Sequence, residues 1–551
     1  MADEAAKHTP ILPEPGKWNI LITSALPYVN NVPHLGNFIG SVLSADVFAR
    51  YCRGRGINTL YVCTDEYGTT SETRALIEGC TPQELCDKCR PLHVALHQNG
   101  YLKEDTTTQL YCEQHSSFLA DRFVKGKCPH CGYADEYGDQ CDLCGQPVDP
   151  LELKNPQCKV DGATPVTRET KHIFLELDKL QPDIEQFFHQ SAQEGAWSSN
   201  GKDITSACGG TSVPLPGNEN KVIYAWFDAC IGYVSITANY TNEWRKWWHN
   251  PQDAQLYQFL GKDNVAYHTV IFRGTQIGTQ DTWAKLHHLS TTEYLTYEGG
   301  KFSKSRGIGV FGDSAQKAGV ASDVWRYYLI SHRPETSDTE FNWDAFVAAN
   351  NNLLLKNLGN FVSRVIKFVN SKIYNNVVPD YTGYHETAFD EWKATINALL
   401  VKYIQKLDAV KLRGALSTVL SISQQGNIFL QSNGLDNKLA ANEPLKCAAV
   451  IGLALNLIHL LGSVIAPFMP GTANSINAQL RSKPVLIPDP WSADSVKTGH
   501  EIGKAAYLFS NIKLERAQEW RKSFGGQEAQ KLKEEEAARK AAKKAALKGG
   551  K

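Results

Sequence analysis

An excess of either charge is missing from this sequence: over 551 residues the formal net charge is -1, so overall composition gives no sign of a nucleic-acid partner and local charge must carry that argument. An apolar leader is missing too. Met1 to Pro10 hold Asp3, Glu4 and Lys7 around no hydrophobic core and lack the Arg-rich look of a transit peptide, so a cytoplasmic protein is expected. The longest apolar stretch, Cys447 to Phe468, is broken by Asn456, His459 and Ser463 and closed by Pro467 and Pro470. That pattern predicts a buried helix of an all-helical domain and no membrane partner. A disulfide framework is not expected either, because 14 cysteines in a leaderless chain of this length are better read as thiols or metal ligands. Internal repeats are absent.

What is present is an ordinary globular composition, 42% hydrophobic and 21% charged, in a chain long enough for about three or four units. Asn19 to Ser24 reads as a buried strand, a Pro/Asn/Gly-rich turn follows, and a helix is predicted from about Leu35 to Arg53. With a second strand at Thr59 to Thr64 the opening is β-α-β, the unit of a parallel nucleotide-binding sheet. Thr81-Pro82-Gln83-Glu84 carries the signals of another helix start. From about Tyr111 to Pro165 the chain turns to Cys, Gly, Asp and Pro, as in a small metal-held insert, and strands are predicted again at Val222 to Phe227 and Gln255 to Phe259. Beyond about Asn350 apolar residues such as Ile396, Leu400, Tyr403 and Leu407 recur at helical spacing. The last residues, Lys531 to Lys551, carry eight Lys/Arg against three Glu and read either as a solubilising tail or as a loose contact for RNA phosphates.

Two segments carry chemistry. His34-Leu35-Gly36-Asn37 stands where a parallel strand gives way to a helix, the place where free amides and the helix dipole collect phosphate; His34 and Asn37 can donate to it, although a purely structural His is the plainer reading of so short a pattern. About 265 residues on, Lys301-Phe302-Ser303-Lys304-Ser305-Arg306-Gly307 is a basic loop whose two lysines suit a clamp on a pyrophosphate leaving group; alone it is also a solvated loop.

Together the two segments resemble the paired signatures of class I aminoacyl-tRNA synthetases, His-Ile-Gly-His and Lys-Met-Ser-Lys-Ser. Ser24-Ala25-Leu26-Pro27-Tyr28, Thr64-Asp65-Glu66-Tyr67-Gly68, Trp226-Phe227-Asp228-Ala229 and Gly261-Lys262-Asp263-Asn264 are similar to the methionyl branch of eukaryotic cytosolic type, over roughly Asn19 to Gly526. The resemblance implies a ligase that joins methionine to tRNA(Met) through methionyl adenylate, for initiation and elongation, with ATP, methionine and tRNA(Met) as partners, magnesium accompanying ATP, and other synthetases or a scaffold as open partners. It implies a nucleotide site from His34, Gly36, Asn37, Lys301 and Lys304, and a methionine pocket from Ala25, Leu26, Tyr28, Trp226, Ala229, Tyr233 and His268, with Asp65 on the ammonium. An unbranched thioether does suit aromatic walls, and a carboxylate suits an amine.

The implied architecture is an α/β fold: a Rossmann-like parallel sheet split by a zinc-binding insert and followed by an all-α anticodon-binding bundle. Its expected divisions are a disordered tail (1–17), the first half of the sheet domain (18–95), the insert (96–221), the second half (222–296), the clamp loop with the stem-contact region (297–349), the bundle (350–523) and the Lys-rich tail (524–551). Asn360 and Arg364, one turn apart, are implied readers of the CAU anticodon; an exposed polar helix face is the alternative. The tryptophan that often stacks there is replaced by the stretch Asn433-Gly434-Leu435-Asp436.

Cys128-x2-Cys131-x9-Cys141-x2-Cys144 offers four thiolates in two knuckles, the spacing of a closed, structural zinc site. A second pair reads Cys112-x2-His115 and Cys158-x2-Asp161, a mixed set from which no second metal is expected. Departures from the family pattern are a short passage between Cys89 and Asn99, a Gly-rich stretch in place of an Arg-Asp one near Ser206 to Pro216, and Cys230 and Arg273 where prolines are usual. Two functions stay open on these grounds: an active ligase, and a catalytically impaired tRNA-binding paralogue or truncated form.

Overall fold

The computed structural model of the chain describes residues 9–25, 33–64, 90–119, 123–134, 136, 141, 148–207, 225–300, 302, 307–384 and 387–526. Four parallel strands, β1 (Asn19–Ala25), β2 (Asn58–Thr64), β8 (Ala254–Gly261) and β9 (Lys285–Thr292), form a sheet in the order β2-β1-β8-β9. All seven residues of β1 are buried, as a central parallel strand covered on both faces requires. Its alternation divides two cores: Ile20 and Ile22 join one, Leu21 and Ala25 the other.

The first core does not stop at the sheet. It runs from Ile20 and Ile22 through Phe48 and Trp343 to Leu416, Leu455 and Trp491 in the helical part. Polar bonds close the same seam. Tyr51 donates to Asp408 at 2.6 Å, and Arg326 reaches Asp46 at 2.7 Å while donating to the carbonyls of Pro467 and Phe468. The second core, under Leu60, Val62 and Leu256, is filled by Tyr233, Trp247 and Trp248. Residues 9–17, read from sequence as part of a disordered tail, lie against this side: Trp247 Nε1 donates to Ile11 O at 2.9 Å and Asn58 Nδ2 to Leu12 O at 2.8 Å.

Between β2 and β8 lies the insert. β3 (Leu102–Cys112) pairs antiparallel with β7 (Val166–Leu175) and with the short β4 (Ser117–Phe118), while β5 (Val124–Lys127) pairs with β6 (Lys154–Cys158). Its own small core holds Leu110, Cys112, Val124, Cys128, Cys141 and Cys158. The helices Leu177–Glu194 and Ser199–Ala207, which fall in the predicted insert, belong with the sheet, since Ser191 Oγ donates to Leu286 O and Ser198 N to Leu289 O at 2.9 Å.

One predicted strand is wrong. The Val222 to Phe227 run enters the helix Ala225–Tyr240; residues 222–224 lie outside the described residues, as does the helix start at Thr81. A six-residue aromatic-aliphatic run cannot be told from a buried helix turn by pattern, and here the apolar text continues for a full helix. β9 was not predicted because polar His288, Ser290, Thr291 and Thr292 are buried in it and erase the usual apolar signal. Downstream, β10 (Leu295–Tyr297) and β11 (Thr339–Phe341) form a parallel pair that leads into the bundle. In the helix Pro444–Ile465, every residue from Cys447 to Ile465 is buried inside the protein, so the stretch long and apolar enough to span a membrane is the core of the bundle.

Candidate active site and metal knuckles

Parallel strands end their carboxyl termini in a crevice, and the chain leaving β1 delivers the first signature there. His34 is the N-cap of Leu35–Asn37, which runs through a π-turn, Phe38–Val42, into Leu43–Gly54. Its Nδ1 accepts from Gly36 N–H at 3.1 Å, and Asn37 Oδ1 accepts from His34 N–H at 3.1 Å. This is a capping box built from His and Asn instead of Ser and Glu. Gly36 is required for a reason the sequence reading did not give: a Cβ there would sit 2.9 Å from His34 Cε1. The imidazole stacks face to face on Phe302, with ring centroids 4.6 Å apart and planes 7° from parallel, and meets the edge of Phe311. Burial depresses the His34 pKa to about 4, so the ring is neutral near pH 7. Lys301 and Lys304 lie outside the described residues.

Ala25 ends β1 and shares a core with Tyr233. Tyr233 OH lies 2.8 Å from His268 Nε2, and His268 Nδ1 lies 2.7 Å from Asn264 O. A carbonyl only accepts, so Nδ1 carries the proton, Nε2 is the acceptor and Tyr233 donates. Complete burial keeps His268 neutral, with a pKa lowered to about 4. Two members of the expected pocket, Tyr233 and His268, are thus brought together, and Ala25 lies in the same core as Tyr233. Trp226 and Ala229 are on the helix that carries Tyr233, while Leu26, Tyr28 and Asp65 lie outside the described residues.

A network that sequence reading missed surrounds the Gly261-Lys262-Asp263-Asn264 turn. Lys262 Nζ pairs with Glu293 at 2.7 Å and Asp338 at 3.5 Å and sits 3.9 Å over the Tyr294 ring, whose hydroxyl donates to Asp263 at 2.6 Å. It ties the ends of β8 and β9 to the segment before β11. Arg273, at a usual proline position, lays its guanidinium 3.8 Å over Phe187 and donates to Gln276. Cys230, at the other, is buried with its thiol directed to Tyr267 O at 3.5 Å.

In the bundle, Asn360 and Arg364 are both exposed on Asn360–Val369, as a base-reading pair needs. Asn357, one turn earlier, points inward: it donates to Leu420 O and accepts from Ser423 and Asn427. Asp436, in the stretch that replaces the stacking tryptophan, caps Asn437–Asn442.

The insert gathers two sets of donors. The ligand atoms of Cys128, Cys131 and Cys141 lie within 4.8 Å of one another, and Cys144 lies outside the described residues. Burial pushes the Cys128 thiol up, but the backbone N–H groups of Cys131 and His130 together with the Cys131 and Cys141 thiols outweigh it and bring it down to about 7, favouring the thiolate a metal binds. The second set, Cys112, His115, Cys158 and Asp161, from which no metal is expected by sequence, is equally compact, with its ligand atoms within 4.8 Å of one another. Cys112 Sγ is 3.0 Å and His115 Nδ1 2.8 Å from Asp161 Oδ2. Both sets use one turn. Gly132 N donates to Cys128 O at 3.0 Å and Gly162 N to Cys158 O at 2.8 Å, and the residue after each second ligand has positive φ: Ser116 at 51°, Gly132 at 76°, Gly162 at 77°. The repeat Cys-x2-ligand-Gly was legible in the sequence at 128–132 and 158–162. The mixed donor set fits a divalent ion of zinc type, with two sulfurs, one nitrogen and one oxygen converging.

Comparison with known proteins gives one answer over most of the chain. The family described as tRNA synthetases class I (M) matches residues 20–95 and 88–366, and the anticodon binding domain of methionyl tRNA ligase matches residues 378–529. The cytoplasmic methionine–tRNA ligase of Saccharomyces cerevisiae is 50% identical over 95% of this chain and 75% of that protein, and a probable one from Schizosaccharomyces pombe is 52% identical over 94% and 72%. The human cytoplasmic enzyme is 43% identical over 95% of this chain and 63% of its own length. Among solved structures, Mycobacterium tuberculosis methionyl-tRNA synthetase in complex with methionyl-adenylate aligns with a TM-score of 0.66 at 17% identity, over 89% of this chain and 99% of that one, a likeness of fold.

Proposed function

The chain belongs to the methionine–tRNA ligases, class I aminoacyl-tRNA synthetases, and on that premise we propose that it attaches methionine to tRNA(Met) in the cytoplasm, for initiation and elongation. The observation that carries the active reading over an impaired paralogue is the joined state of the two signatures, His34 capped by Gly36 and Asn37 on one side and stacked on Phe302 on the other.

In the first step a carboxylate oxygen of methionine attacks the α-phosphorus of ATP, the bond to the bridging oxygen breaks, and pyrophosphate leaves. His34, its proton on Nε2, and the Asn37 amide donate to phosphate oxygens, and Gly36 keeps the turn open for the nucleotide. Lys301 and Lys304 neutralise the departing pyrophosphate, a charge that magnesium accompanying ATP would share. Asp65 holds the ammonium, and Ala25, Leu26, Tyr28, Trp226, Ala229, Tyr233 and His268 surround the thioether. In the second step a hydroxyl of the tRNA's terminal ribose attacks the acyl carbon and AMP departs. Asn360 and Arg364 read the anticodon at the far end.

In the insert, Cys128, Cys131, Cys141 and Cys144 would hold a structural zinc, and Cys112, His115, Cys158 and Asp161 would hold a second ion. The activity is tested by methionine-dependent exchange of pyrophosphate into ATP: exchange at saturating methionine is expected, and its absence alongside retained tRNA binding would establish the impaired paralogue.

A further inference from the structure

We infer that Phe302 is a positioning residue for His34, acting through the imidazole to present its Nε2–H to the nucleotide. The inference rests on the function proposed above and adds a role that the basic residues of the same loop do not have.

The imidazole is enclosed on three sides. One face is covered by the Phe302 ring, with centroids 4.6 Å apart and planes within 7°; the edge of the Phe311 ring approaches at 6.2 Å and 83°; and Nδ1 takes the Gly36 N–H. A neutral imidazole that accepts at Nδ1 carries its proton at Nε2, and among the described residues Nε2 has no partner. The stack therefore holds the one free donor of the ring in a fixed direction.

Phe302 is itself built in. Tyr297 leans on it at 5.6 Å, and the chain passes beneath it at Gly309, which has φ of 116° and where a Cβ would lie 2.3 Å from Phe302 Cδ1. Beyond Gly309 the chain lies antiparallel to the His34 segment, with Leu35 N donating to Val310 O at 3.2 Å and Gly312 N to Pro33 O at 3.1 Å. Gly309 serves the ring above it and Gly36 the ring beside it. Each lacks a Cβ where one would displace a member of the stack.

An aromatic ring in this loop could instead serve only to fill the core, since Phe302 does touch it. The two roles differ in what the variant loses. A filler acts on stability and independently of His34; a positioning residue acts on the chemical step and only while His34 is present.

The experiment is a double-mutant cycle, Phe302→Ala, His34→Ala and both, in the full-length enzyme, read by pyrophosphate exchange and by thermal midpoint. Phe302→Ala is expected to lower kcat about tenfold or more, with the methionine KM within about twofold, as for loss of an oriented donor. In the His34→Ala background the same change is expected to cost less than about twofold. Phe302→Met, which keeps a flexible apolar contact on the ring, is expected to restore most of kcat. The Phe302→Ala profile is also expected to gain an acidic limb near the ordinary imidazole pKa, because the uncovered ring hydrates. Equal costs of Phe302→Ala in both backgrounds, or a loss tracking the thermal midpoint alone, would overturn the inference. Failure of the native enzyme to exchange would instead remove the function on which it rests.

Discussion

Tyr233 and His268, proposed above for the methionine pocket, are joined by a single hydrogen bond that the tyrosine donates. Tyr233→Phe deletes the donor and leaves a buried imidazole nitrogen unsatisfied, a cost of about 1–3 kcal/mol. A methionine KM raised about tenfold with kcat little changed is the expected result in exchange kinetics. An unchanged KM would take the pair out of the pocket.

His268 and His288 also set an acid limit. Burial lowers their pKa values to about 4 and about 3, so the unfolded chain, with ordinary imidazoles, takes up protons first as the pH falls below 6.5. The stability they supply is complete above that value and drains through the interval down to their folded pKa values, at up to about 1.4 kcal/mol per pH unit for each residue. Thermal midpoints measured from about pH 7 to about pH 4.5 should fall along this course, and His288→Leu should flatten it. A native profile that is flat over the same range would refute the assignment.

Among the elements, the parallel strands β1, β2 and β8 were legible because each is a short buried run, and the bundle because its helices repeat their apolar face. Strand β9 was not, since its interior is polar, and Ala225–Tyr240 was misread because a short aromatic run has no period of its own. The active site divides in the same way. The spacing His34 to Asn37 is that of a capping box, visible to anyone who allows His and Asn in its two roles. The stack on Phe302 joins residues far apart in the chain, and nothing local announces it. The candidate metal knuckles lay between these cases, with Gly132 and Gly162 repeating in the text and Ser116 adopting the same backbone without a glycine to flag it.

From these knuckles follows a count. Elemental analysis of the purified protein should find about two equivalents of zinc; Cys128→Ala and Cys158→Ala should each remove about one. One equivalent, indifferent to Cys158→Ala, would return the second set to plain hydrogen bonding between Asp161, His115 and Cys112.

On the scale of the whole molecule, calorimetry should separate two events. The sheet and the bundle share a core and are expected to melt in one transition, whereas the insert has its own small core stitched by cysteines and should melt apart, shifted down by a chelator. Separate transitions for sheet and bundle would contradict the shared core.

The seam around Tyr51, Asp408 and Arg326 also governs what damage can do. A cavity opened deep in the helices, far from any substrate, draws on the same reserve of stability as one beneath β1, so the chain has no expendable half. Lesions in the end that reads tRNA will present as loss of adenylate formation whenever they are severe enough to melt it, and the ratio of the two activities will separate those that unfold the protein from those that merely blunt recognition.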